Sequence, residues 1–169
     1  MSGPSAPVGV PEAMDEGKKT GDKMFGRRRF EMAIHMRGLC PLIQVFDMDN
    51  SLQFYCEVLG FEIVEKAAAG GWAWLRHGTA ELMLNTMYDE GERPEKPDPA
   101  RLLGHQDTSL FIGCPDVDGA FEYLHGKGVD VSMPKVAWYG MKQMSLKDPD
   151  GFEICFQWRA VQQPDISNT

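Results

Sequence analysis

The feature that most constrains this 169-residue chain is that it repeats itself. Residues 45–63, VFDMDNSLQFYCEVLGFEI, and residues 113–131, GCPDVDGAFEYLHGKGVDV, share one plan. Each has Asp-x-Asp, an amphipathic helix, a glycine stop and then a β-prone segment. Asp47 and Asp49 correspond to Asp116 and Asp118, Leu52 to Phe121, Phe54 to Tyr123, and Gly60 to Gly128 with one residue deleted. Asp at a helix start accepts from orphan amides and suits the dipole, and Gly at the stop takes the left-handed cap. A repeat of this length outranks local signals in fixing a fold.

Strands complete each unit. LCPLIQVF (39–46) precedes the first helix, and FEIVEK (61–66), WAWLRH (72–77) and AELMLNT (80–86) follow it. TSLFIGC (108–114) precedes the second, and VDVSMP (129–134), GMKQMSL (140–146) and FEICFQW (152–158) follow. The prediction is an α+β fold of two β-α-β-β-β modules, with helices over 48–59 and 117–127. Module one spans 38–86 and module two 108–160. The turn Asp148-Pro149-Asp150-Gly151 throws the chain into the last strand, because Pro sets φ, Asp bonds its own backbone and Gly accepts positive φ. Period-2 alternation then predicts that Ile43, Val45, Leu82, Leu84, Ile154 and Phe156 are buried against the helices.

Residues 1–35 read as a disordered tail, rich in Gly, Pro and charge, and 161–169 as a second tail. Glu12, Asp15, Glu16 and Asp22 argue against a transit peptide. The domain proper is expected over 36–160. Residues 87–107 form a charged, Pro-rich linker, read either as a solvated connection or as a lid over a pocket. With 25 acidic against 17 basic residues, the net charge of −8 argues against nucleic acid and tolerates cationic ligands. No apolar run approaches the roughly 18 residues of a membrane span. Cys40, Cys56, Cys114 and Cys155 form no CxxC pair, which predicts reduced thiols in a cytoplasmic protein.

The stretch FDMDNSLQFYCEVLGFEI early and DPDGFEICF late resemble the vicinal oxygen chelate superfamily, the glyoxalase/bleomycin-resistance/dioxygenase group. Its bleomycin-resistance-like members are the nearest in kind. The resemblance covers about residues 38–160 and implies paired four-stranded mixed sheets that curve into a ligand cleft, with helices outside. It also implies a homodimer, and four metal-ligand positions, two per module. These fall on Cys40, Glu81, Ser109 and Cys155. One carboxylate, one hydroxyl and two thiols do not suit an octahedral divalent ion. The expectation is therefore no cofactor, with a divalent metal as the alternative. A zinc set of Cys40, Cys155, Glu81 and His105, or metal-free acid/base chemistry on Glu81 as catalytic candidate, are further alternatives.

Alternation and the expected cleft together give a ligand-binding set: Gln44, Trp72, Trp74, Met83, Asn85, Phe111, Trp138, Tyr139, Met141 and Gln157. Aromatic rings give contact area and attract cations over their faces. The expected function is binding of a small organic ligand, aromatic or cationic, in a Trp-lined cleft, as in antibiotic resistance by sequestration. The alternatives are a divergent metal-dependent lyase, isomerase or dioxygenase, and a module whose tryptophans are core or dimer interface. His35, His77 and His125 read as solvated.

Overall fold

The computed structural model describes residues 38–88 and 91–160. The two expected tails lie outside the described residues. Module one runs β1 (Leu42–Gln44), α1 (Met48–Leu52), a π-helical turn (Gln53–Val58), β2 (Glu62–Lys66), β3 (Trp72–His77) and β4 (Ala80–Asn85). Next is α2 (Pro99–His105). Module two follows with β5 (Ser109–Gly113), α3 (Val117–Gly126), β6 (Lys135–Val136), β7 (Met141–Lys147) and β8 (Glu153–Arg159). The strands form two four-stranded sheets, ordered β1-β4-β3-β2 and β5-β8-β7-β6. In each, the edge strand before the helix runs parallel to the last strand, and the other pairs are antiparallel. The α+β fold of two mixed-sheet modules is as the repeat requires.

The local chemistry accounts for the helix ends. Asp47 Oδ1 accepts the Asn50 N–H at 3.1 Å and Asp116 Oδ1 accepts the Gly119 N–H at 2.9 Å. Gly60 and Gly128, both at φ 77°, make the two matching stops. The first helix is not a single α-helix over 48–59. After Leu52 it widens, and the Leu59 N–H reaches the Phe54 carbonyl at 3.1 Å, five residues back. Insertions of this type mark functional or specially packed places.

One further expectation is corrected. The segment 129–134 is not a strand: Val131 makes one isolated bridge to Leu146, and β6 is the two-residue Lys135–Val136. Pro134 lacks the N–H a ladder needs, which pushes pairing beyond it. The linker, read as a solvated connection or a lid, contains the helix α2. Asp98 caps α2 by accepting the Ala100 N–H at 2.9 Å, with Pro99 in its first turn.

Alternation sorts the faces as expected. Ile43, Val45, Leu82, Leu84 and Ile154 are buried; Phe156 is only partly so, packed at the margin of the core. One core joins both modules, with Tyr55, Phe61 and Leu75 of the first clustered with Val117, Leu124, Met144 and Phe152 of the second. Each such side chain contributes about 1.5–3 kcal/mol by leaving water.

The modules are also tied by the Asp148–Gly151 turn. Asp150 Oδ1 accepts the Phe46 N–H at 2.7 Å and Oδ2 the Ser51 hydroxyl at 3.3 Å. Asp148 Oδ2 accepts the Tyr55 hydroxyl at 2.9 Å, while its Oδ1 takes the N–H groups of Asp150 and Phe152. Burial raises the pKa of both carboxyls above the usual Asp range, against the lowering effect of these hydrogen bonds. The Tyr55 phenol is likewise pushed up by burial and by Asp148. No helix among the described residues is long and apolar enough to cross a membrane.

Candidate functional site

Each sheet has one face on the core and one turned away from it. On module one the outward face carries Leu42 and Gln44 from β1, Trp72, Trp74 and Arg76 from β3, and Glu81, Met83 and Asn85 from β4. The alternating residues Ala73, Leu75, Leu82 and Leu84 are buried on the other side. The register sets Trp72 beside Asn85 and Trp74 beside Met83, with Leu42 on the far side of Met83. Five of the expected ligand residues, Gln44, Trp72, Trp74, Met83 and Asn85, thus share one surface, and all are half-buried.

Two atoms there are left unsatisfied. Trp74 Nε1 and Gln44 Oε1 are buried without a hydrogen-bond partner among the described residues. Leaving a buried donor or acceptor unpaired costs about 1–3 kcal/mol each. Native structures keep few such groups, and each calls for a reason.

Among the described residues, the charges on this face are three carboxylates and one guanidinium. Arg76 Cζ lies 5.2 Å from the Trp74 ring centroid, and its Nε donates to Glu81 Oε1 at 2.9 Å. Glu62 sits opposite Arg76 across β2–β3, and Glu65 sits opposite Trp74 because the register shifts between Ile63 and Glu65. Plain alternation from Glu62 would have sent Glu65 to the other face. No sequence signal marks that bulge. Arg76 could have been found, since it continues the Trp72, Trp74 alternation.

The other five ligand candidates lie on module two. Phe111 is exposed, Met141 and Gln157 are half-buried, and Gln143 Nε2 donates to Gln157 Oε1 at 2.9 Å. Trp138 and Tyr139 project from the turn between β6 and β7, ring edge to face at 5.4 Å, with Trp138 96% exposed. The two halves of the candidate set stand on separate sheets with no common ladder.

Among the described residues, two open cavities lie beside this face, and Trp72, Trp74 and Trp138 line neither. One, of 480 Å³, lies where β1 and β4 end, walled by Phe46, Tyr88, Gly70 and Arg93. Arg93, from the linker, pairs with Asp47 and lies over Phe46 at 5.5 Å, so this part of the linker covers the start of α1. The other, of 900 Å³, is an apolar groove between Leu39, Tyr55 and Phe61 of module one and the whole of β5 with Phe156 and Trp158 of module two.

The metal positions can be tested on their donors. Glu81 is engaged by Arg76. The Ser109 hydroxyl donates to Glu153, its neighbour across β5–β8, whereas Cys155 stands beside Phe111. Glu153, which the sequence reading did not single out, is therefore the carboxylate next to Ser109. Burial pushes the Cys40 and Cys155 thiols up, with Glu81 and Glu153 adding to the effect. His105 is far from this role: its Nδ1 meets the Asp150 carbonyl at 2.6 Å and its ring stacks on Phe152 at 3.9 Å. Among the described residues no three His, Cys, Asp or Glu side chains gather to hold an ion. The donor set of this chain does not fit the divalent metal that the family's enzymes imply. His77, exposed, meets the Gly60 carbonyl, and His125 stacks on Phe121; His35 lies outside the described residues.

Comparison with known proteins agrees with this architecture. Lactoylglutathione lyase of Schizosaccharomyces pombe is 29% identical over 154 residues, covering 75% of this chain but only 49% of that protein, so the chain spans about half its length. The bleomycin resistance protein of Geobacillus stearothermophilus is 29% identical over 125 residues, 69% of this chain and 92% of that one. A crystal structure of a bleomycin-binding protein complexed with bleomycin superposes with a TM-score of 0.58 at 22% identity, over 73% of this chain and 99% of the other. The model of the Glyoxalase/Bleomycin resistance protein/Dioxygenase superfamily matches residues 35–156, and the chain belongs to that superfamily.

Proposed function

We propose that this protein binds a small organic ligand, aromatic and cationic, on the outward face of module one, without a metal. The observation that carries the reading is the pair of unpartnered buried atoms, Trp74 Nε1 and Gln44 Oε1, on a face that also offers two tryptophan rings. A ligand acceptor and donor would satisfy them. Glu62, Glu65 and Glu81 outnumber Arg76 there, which favours a cation over the rings. Relatives named for bleomycin resistance support drug sequestration as the use of such a site.

The face is open in one chain, and Leu42, Phe111 and Trp138 are exposed apolar residues beside or opposite it in the repeat. A second copy of the chain would close it, setting Trp138, Tyr139 and Phe111 of one copy over Trp72 and Trp74 of the other. Light scattering should then give about twice the 18.9 kDa chain mass. Titration of intrinsic tryptophan fluorescence with bleomycin and with simple aromatic cations tests the binding. Saturable quenching that survives chelation supports the reading, and no response to any cation sinks it. Stoichiometric metal in the purified protein, with binding lost on its removal, would favour the lyase or dioxygenase alternative built on Glu81 and Glu153.

A further inference from the structure

The 480 Å³ cavity where β1 and β4 end already holds one ligand-like group, and that group belongs to the chain itself. Arg93 Nη1 meets Asp47 Oδ2, and the guanidinium carbon lies 5.5 Å from the centroid of the Phe46 ring. The two oxygens of Asp47 divide their work. Oδ1 accepts the Asn50 N–H and caps α1, so Oδ2 is the one left for a cation. Tyr88 sets its ring edge to face against Phe46 at 5.5 Å, and both rings line the space. Asp49 lines it too, and among the described residues its carboxylate pairs with no cation. The rest of the lining includes Ala68, Ala69, Gly70 and Gly71, which carry nothing larger than a methyl group.

A carboxylate oxygen beside an aromatic face is the chemistry that recognises a planar cation, which donates to the first and lies over the second. Arg93 uses it while half-exposed, where an ion pair is weak and exchanges readily. The 480 Å³ is the room that remains with Arg93 in place, and it falls within the roughly 300–1,000 Å³ of small-molecule sites. Two carboxylates against one guanidinium leave the lining net negative. We infer that this cavity is a second binding site, for a small molecule with a planar guanidinium or amidinium head, and that Arg93 is its tethered competitor. The incoming head takes Asp47 Oδ2 and the Phe46 ring, and the body of the ligand lies along Ala68–Gly71, where no long side chain obstructs it. Being tethered, Arg93 acts at a high effective concentration and sets the threshold for exchange. The site stands apart from the Trp72 and Trp74 surface, since neither ring lines it.

Titration of the full-length chain with benzamidine, followed by the amide NMR signals of Phe46, Gly70 and Tyr88, tests this. In Arg93→Ala these signals should shift saturably, with an affinity at least about tenfold above that of the unaltered protein, where the tether competes. Neutral benzamide should move none of them. Adding Asp47→Asn to Arg93→Ala keeps an N-cap side chain of equal quality but removes the charge, and should cost at least about tenfold in affinity. The Trp74 indole N–H signal reports the tryptophan face separately, so failure at one site is distinguishable from failure at the other. No saturable shift at the three amides in Arg93→Ala overturns the proposal. So does equal affinity with and without Arg93, or affinity indifferent to Asp47→Asn. Should Arg93→Ala fail to fold, Arg93→Gln, which keeps the length of the side chain without its charge, decides by the same criteria.

Discussion

The carboxylate of Asp150 holds the main-chain N–H of Phe46 at 2.7 Å across 104 residues of sequence. The turn that starts the last strand of module two thereby fixes the end of the first strand of module one. Asp150→Ala should leave the Phe46 amide and the Ser51 hydroxyl without acceptors in a mostly buried setting. Urea unfolding should show a loss of about 2–3 kcal/mol. An unchanged midpoint would mean that water replaces the carboxylate without cost.

Tyr55 and Asp148 should be coupled. Asp148→Ala strands a fully buried phenol hydroxyl, whereas Tyr55→Phe removes it with little change in shape. In a double-mutant cycle the second substitution should recover about 1 kcal/mol of the damage done by the first. Strict additivity would show the bond to be energetically idle.

The same turn makes stability depend on pH with a definite sign. Asp148 and Asp150 have pKa values raised above the usual Asp range in the folded chain, chiefly through burial, so the folded state holds their protons more tightly than the unfolded one. Their favourable contribution is complete below the ordinary Asp value of about 3.9 and fades as pH rises through the folded values. Between pH 4 and 7 the unaltered protein should lose stability with rising pH more steeply than Asp148→Asn. Parallel profiles would show that the carboxyl is hydrated in solution.

Trp74→Ala should weaken aromatic-cation binding by about 1–3 kcal/mol through lost area and stacking. Glu81→Gln should weaken it less, and less still at high salt, because the charge it removes is screened and already paired with Arg76. Fluorescence or calorimetric titration at two ionic strengths measures both. A larger effect of Glu81→Gln than of Trp74→Ala would move the binding centre from the rings to the carboxylate.

Leu84 is fully buried between β1 and β3, and Leu84→Ala should cost about 2–5 kcal/mol in unfolding experiments. A loss under about half a kcal/mol would place this strand face outward.

What the sequence determined by itself was the repeat and everything that alternation and capping can carry. Asp47, Asp116, Gly60 and Gly128 mark the helices because their effects are local: an orphan amide within three residues, a positive φ at one position. Trp72-Ala73-Trp74-Leu75 reveals its two faces because a strand has period two. Tertiary structure decided what depends on partners far along the chain. The bulge that brings Glu65 beside Trp74, and the register that sets Glu153 rather than Cys155 beside Ser109, are properties of strand pairs. The Asp150–Phe46 and Asp148–Tyr55 bonds join residues about a hundred positions apart, and nothing in a tight polar turn announces which distant donors its carboxylates will meet. Local chemistry writes the elements; the desolvated contacts between modules choose which of their polar atoms are satisfied and which, like Trp74 Nε1, are left without a partner among the described residues.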